Sequence, residues 1–178
     1  MKMNRSVLVS SLVGGIILFM MSIISWKTAY WQGVIVQNFE NEQEVAEVMR
    51  KNAPASGVYV MPSISDSEDT AAKLPLILSG VNLEGKRRLW LVLLGSLAGK
   101  VFMAFVGTWL LLHHDTKMSY AKRVGFFVLI GCLLAAGSKF SFLIKGYYPL
   151  NFALYSMLAI FLQWFVAGLA MAKIAKHR

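Results

Sequence analysis

The sequence predicts a mainly α protein: a four-helix transmembrane bundle carrying a small α+β extracytoplasmic loop region. Three observations lead there. Hydrophobic residues make up 57% of the chain and charged residues 15%, whereas about a quarter of a soluble domain is charged. Four apolar runs reach the roughly 20 residues that cover a 30 Å hydrocarbon core. Eight of the nine acidic residues fall between Glu40 and Glu84, which sets that stretch apart from the rest.

The first run, residues 7–26 within an N-terminal unit 1–26, follows Lys2 and Arg5. A basic start also suits a cleaved signal peptide, but the run is long for one and no A-x-A site precedes Trp26 and Lys27, so a retained span is expected. The next spans are expected at 89–112, 124–144 and 150–172, the last continuing into a basic C-terminus at 178, with a cytoplasmic loop over 113–123. Leu74 to Leu83 is apolar as well, yet ten residues holding Pro75 and Gly80 cannot span as a helix. Lys2, Arg5, Lys117, Lys122, Arg123, Lys173, Lys176 and Arg178 would share one side, which by the positive-inside rule places both termini in the cytoplasm and residues 27–88 outside. Trp26, Trp31, Trp90, Tyr147 and Tyr148 then form the outer aromatic belt, and Trp109 and Tyr120 the inner one.

In the outer region, Asn41 followed by Glu44 reads as a helix start, Val45, Val48 and Met49 fall at helical spacing, and Arg50 and Lys51 precede Asn52 and Pro54. A short amphipathic helix over 41–52 is expected. The β-favouring runs near 58–61 and 76–81 predict two strands, with Ser63 to Thr70 a mobile acidic loop between them. About sixty residues are marginal for independent folding, so this region is expected to rest on the membrane or on a partner.

Ser25-Trp26, Trp31, Phe39, Glu42-x-x-Val45-Ala46 and Asn52-Ala53-Pro54-x-x-Gly57-Val58-Tyr59-x-x-Pro62 together resemble a pattern in a family of uncharacterised bacterial multipass inner-membrane proteins. The resemblance covers residues 25–62. It implies a bacterial inner-membrane setting and, because that family carries no established activity, transfers no catalytic residue.

Within the spans the polar residues need an explanation, since a charge at the bilayer centre costs about 3 kcal/mol on insertion scales. Lys100 lies near the middle of the second span. Gln163 should reach a similar depth in the fourth, which makes it the expected neighbour of Lys100, with Ser96 one turn away as a second polar partner. The bland reading packs this lysine into the bundle; the functional one makes it an anion-binding or basic group. Lys139, near the outer end of the third span, can snorkel to the headgroups and needs no special role. Gly95 and Gly99 form a G-x-x-x-G pattern, continued by Met103 and Gly107, that predicts close helix packing inside the bundle; a homo-oligomer contact is the other use of such a surface. Gly14 and Gly15, and Gly168 with Ala172, are candidate matching surfaces. Lys86, Arg87 and Arg88 read as an interfacial anchor or as a docking point for anionic lipid or an acidic partner.

No motif for nucleotide binding or acyl transfer is present. His113 and His114 lack chelating spacing, and the lone Cys132 has no intrachain partner, so neither a metal nor another cofactor is expected. The basic residues are dispersed, which argues against nucleic acid. Membrane lipids and a membrane or periplasmic protein are the expected partners. The leading expectation is therefore a non-enzymatic accessory or scaffold component that meets a partner through its outer region. The alternative is a small lipid or amphiphile transporter, or an intramembrane enzyme, using Lys100 and Gln163.

Overall fold

The computed structural model describes residues 5–31, 36–62, 77–83, 88–114 and 118–175. In chain order the elements are α1 (Arg5–Trp31), α2 (Glu42–Asn52), β1 (Gly57–Met61), β2 (Ile77–Val81), α3 (Leu89–His114), α4 (Tyr120–Ile144) and α5 (Leu150–Ile174). The helices α1, α3, α4 and α5 are each long and apolar enough to cross a bilayer.

Two of them outrun their apolar stretches. Nothing after Trp26 breaks a helix, so α1 continues to Trp31, and the Thr28 hydroxyl folds back to donate to the Ile24 carbonyl. At the start of α4, the Ser119 side chain accepts the Lys122 N–H, and Arg123 is drawn into the first turn. A cation is unfavourable at a helix N-terminus. Arg123 offsets this by reaching across to donate to the Ala175 carbonyl at 2.9 Å, at the C-terminus of α5, where the dipole favours positive charge. The turn between α4 and α5 is a Schellman motif: the Gly146 N–H reaches the Leu143 carbonyl, the Tyr147 N–H reaches the Phe142 carbonyl, and Gly146 takes φ 73°.

The bundle is ordered α3, α1, α5, α4 in space. Adjacent members of that series pack along their lengths, while α3 and α4 barely touch. Small residues let the backbones close up. Gly131 of α4 lies against Trp164 of α5, Gly168 of α5 against Phe127 of α4, Gly15 of α1 against Val101 of α3, and Gly14 of α1 against Met171 of α5. Gly95 and Gly99, expected at such a contact, instead face open space, with nothing within 4 Å of an added Cβ. Glycine spacing says that one face of the helix is small; which face meets a neighbour is decided by the bulkier residues. On α3, Ala104, Thr108 and Leu111 are buried and turn the Gly95–Gly99 face outward. Gly107, in the same spacing series, does meet neighbours, lying near Ile130, Phe127 and Trp164.

The core, built from Leu18, Ala104, Leu111, Phe127, Trp164 and Met171 among others, lies away from the end where the chain leaves α1 and re-enters at α3. That latter end is called distal below. A polar tie crosses the core. Thr108 Oγ1 and Ser10 Oγ are 3.2 Å apart, and Ser10 Oγ donates to the Met171 carbonyl at 3.4 Å, joining α3, α1 and α5. Both hydroxyls are fully buried. The assignment that satisfies both has Thr108 donating to Ser10.

Long apolar side chains point away from the core: Leu8, Leu12, Ile16, Met20 and Ile24 on α1, and Leu150, Leu154, Leu158 and Leu162 on α5. A soluble monomer rarely exposes contiguous apolar surface of that extent. Lipid is the solvent this surface fits.

Outside the bundle, Asn41 caps α2 by accepting the Glu44 N–H at 3.1 Å, and its amide donates to the Glu44 carboxylate at 3.0 Å. Strands β1 and β2 form an antiparallel pair in the register Gly57↔Val81, Tyr59↔Ser79 and Met61↔Ile77. The Tyr59 hydroxyl donates to the Ala55 carbonyl at 2.6 Å, and Ser56 Oγ accepts the Leu83 N–H at 3.0 Å, fastening both sides of the hairpin's open end. The predicted mobile loop at 63–70 lies outside the described residues.

Candidate functional site

Strand alternation puts Tyr59, Met61, Ile77, Ser79 and Val81 on one face of the hairpin. The helical spacing of α2 turns Val48, Met49 and Asn52 toward that face. Between them lies an open groove of about 410 Å³, mainly apolar, with Asn52, Ser79 and Tyr59 as its polar side chains. No residue of α2 is buried, and Val48, Met61 and Ile77 remain exposed. Among the described residues the sheet has two strands, and the outer edges of β1 and β2 pair with no further strand there. Neither α2 nor the hairpin packs extensively on a span.

Within the bundle, Gln163 is buried, and its side-chain amide donates to Ser25 Oγ of α1 at 3.3 Å. It is thus engaged by α1, not by Lys100. Equal depth placed these two residues at one level, but depth does not fix azimuth, and α5 packs on α1 and α4 while α3 stands on the other side of α1. Lys100 is half-buried on α3, and Ser96 is exposed. Arg88 is exposed just before α3, where its carbonyl accepts the Leu91 and Val92 N–H groups; Lys86 and Arg87 lie outside the described residues. His113 packs its ring on Trp109 at 4.4 Å.

Sequence reasoning passed over the residues that gather around Gln163. Tyr155 donates from its hydroxyl to the Ser25 carbonyl at 2.6 Å, and Ser22, Ser25 and Ser156 line the same distal cleft. The available signal was the Ser22, Ser25 pair at spacing three on α1, which puts two hydroxyls on one helical face.

Fold, surface and span lengths define an integral membrane protein with a four-helix bundle. No family model, curated protein or solved structure matches the chain. The resemblance over residues 25–62 therefore rests on those residues alone.

Proposed function

We propose that the protein is a non-enzymatic accessory or scaffold component of a bacterial inner membrane, with both termini cytoplasmic, that recognises a protein partner through its outer region. The observation that carries this reading is the groove between α2 and the hairpin. It presents Met61, Ile77 and Val48 to solvent beside strand edges that pair with no further strand among the described residues. An extended segment adding to such an edge gains main-chain hydrogen bonds, while pockets for alternate side chains supply selectivity. The fitting occupant is thus an extended, largely apolar segment of a partner. The Arg123 and Lys173 ends of α4 and α5 supply the positive charge of the cytoplasmic side.

The transporter or enzyme reading built on Lys100 with Gln163 loses support, because the Gln163 side chain meets Ser25 of α1, while Lys100 lies on α3 across α1. The test is recovery of a stoichiometric partner from nanodiscs with Met61→Asp in the groove and Val58→Asp on the opposite hairpin face. The reading expects Met61→Asp to lose the partner and Val58→Asp to keep it. Equal recovery with both variants would sink it.

A further inference from the structure

We infer that the distal cleft between α1, α4 and α5 is a binding site for a phosphate-bearing group, of the kind an anionic lipid presents at the membrane interface. The cleft encloses about 190 Å³, roughly six water volumes at about 30 Å³ each. An open cleft of that size admits a phosphate-bearing headgroup.

Its cation is Lys139, whose Nζ sits 5.2 Å from the Tyr148 ring centroid and 5.6 Å from that of Phe152. Ring faces attract an ammonium without using up its N–H donors in ion pairing. No carboxylate pairs with it among the described residues, and no acidic residue occurs anywhere from Lys117 to the C-terminus. Among the described residues, the charge of the site has no carboxylate partner. Lys139 lies five residues before the end of α4, about 7–8 Å along the helix, which is headgroup depth for a span of this length.

Among mainly apolar side chains, the cleft wall carries the hydroxyls of Ser22, Ser25 and Ser156 and the Gln163 amide. Ser25 Oγ gives its proton to the Met21 carbonyl and accepts from the Gln163 amide, while Ser22 Oγ donates to the Phe19 carbonyl, which leaves the Ser22 oxygen as an acceptor in the cleft wall. The Gln163 amide has a second N–H beyond the one it gives Ser25, and the Ser156 hydroxyl is a further donor. One cation with neutral donors and an acceptor oxygen beside it matches a phosphate that also carries a hydroxyl group. A snorkelling lysine alone would need none of this wall.

The experiment uses the full chain in phosphatidylcholine nanodiscs doped with phosphatidylglycerol, reading retained phosphatidylglycerol by native mass spectrometry. Lys139→Gln should lower retention at least tenfold, Lys139→Arg should keep it, and Ser156→Val, which fills the cleft without removing charge, should lower it severalfold. Lys145→Gln, an exposed lysine in the adjoining turn, should change it by less than twofold. Unfolding of each variant in the same nanodiscs identifies any that merely fails to fold, and Lys139→Arg with Lys145→Gln keeps the comparison decisive. Inorganic phosphate is then titrated in. Displacement of the lipid assigns the anion site to a soluble phosphate source, and no displacement assigns it to the lipid. Retention unchanged in both Lys139→Gln and Ser156→Val, or an equal loss in Lys145→Gln, overturns the proposal.

Discussion

Replacing Gly15 and Gly99 by alanine, one at a time, separates a glycine that holds two helices together from one that only looks as though it should. A Cβ added at Gly15 would lie 2.5 Å from the Val101 Cα and 2.8 Å from its backbone nitrogen. Carbon atoms sit comfortably about 3.5–4 Å apart, so α1 and α3 would have to separate by roughly 1 Å. The obstacle is backbone and cannot rotate away, unlike the flexible Met171 side chain that faces Gly14. Overpacking of this kind costs about 1–3 kcal/mol. At Gly99 an added Cβ meets nothing within 4 Å. Both changes gain the same helix-propensity term of about 1 kcal/mol, so that term cancels between them and the difference isolates the packing cost. Gly15→Ala should therefore be about 1–3 kcal/mol less stable than Gly99→Ala, with Gly99→Ala at or above the parent. Reversible unfolding by SDS titration from mild-detergent micelles, followed by helical circular dichroism, measures this. Equal stabilities, or a Gly99→Ala variant weaker than Gly15→Ala, would refute the helix arrangement.

The Ser10 to Thr108 tie should show a coupling of about 0.6–1.7 kcal/mol in a Ser10→Ala, Thr108→Val double-mutant cycle, the range found for interhelical hydrogen bonds in lipid; a zero coupling would deny the bond. Gly146→Ala places a side chain at positive φ and should lose about 1–2 kcal/mol in the same unfolding assay. Lys100→Met removes a charge from near the bilayer centre and should stabilise the bundle, by up to about 3 kcal/mol, while leaving partner recovery unchanged. Loss of partner recovery in that variant would return Lys100 to the functional site.

The class of fold was legible because its determinants are one-dimensional. Span length, the scarcity of charge and the capping pair Asn41 with Glu44 are all read along the chain, and α2 with its Asn41 cap follows from them. What stayed hidden depends on rotation about helix axes. Gly95 and Gly99 carry the right spacing, but Ala104, Thr108 and Leu111 decide that the opposite face of α3 is buried. The same blindness paired Gln163 with Lys100 by depth, when the helix order sets Gln163 against Ser25. Lys139 was read as a snorkelling lysine because its aromatic companions Tyr148 and Phe152 come from beyond a turn. Buried hydroxyls such as Ser10 are invisible in an apolar run because serine is compatible with both lipid-facing and packed positions. In the outer region the groove depends on how α2 lies across the hairpin, which no local pattern encodes.

A photocrosslinking side chain placed at Ser79, inside the groove, and separately at Gly80, on the opposite face of the same strand, tests partner recognition most directly when activated in native membranes. The account predicts one discrete heterologous adduct from Ser79 and none from Gly80. Equal adducts from both positions, or adducts from neither, would contradict it.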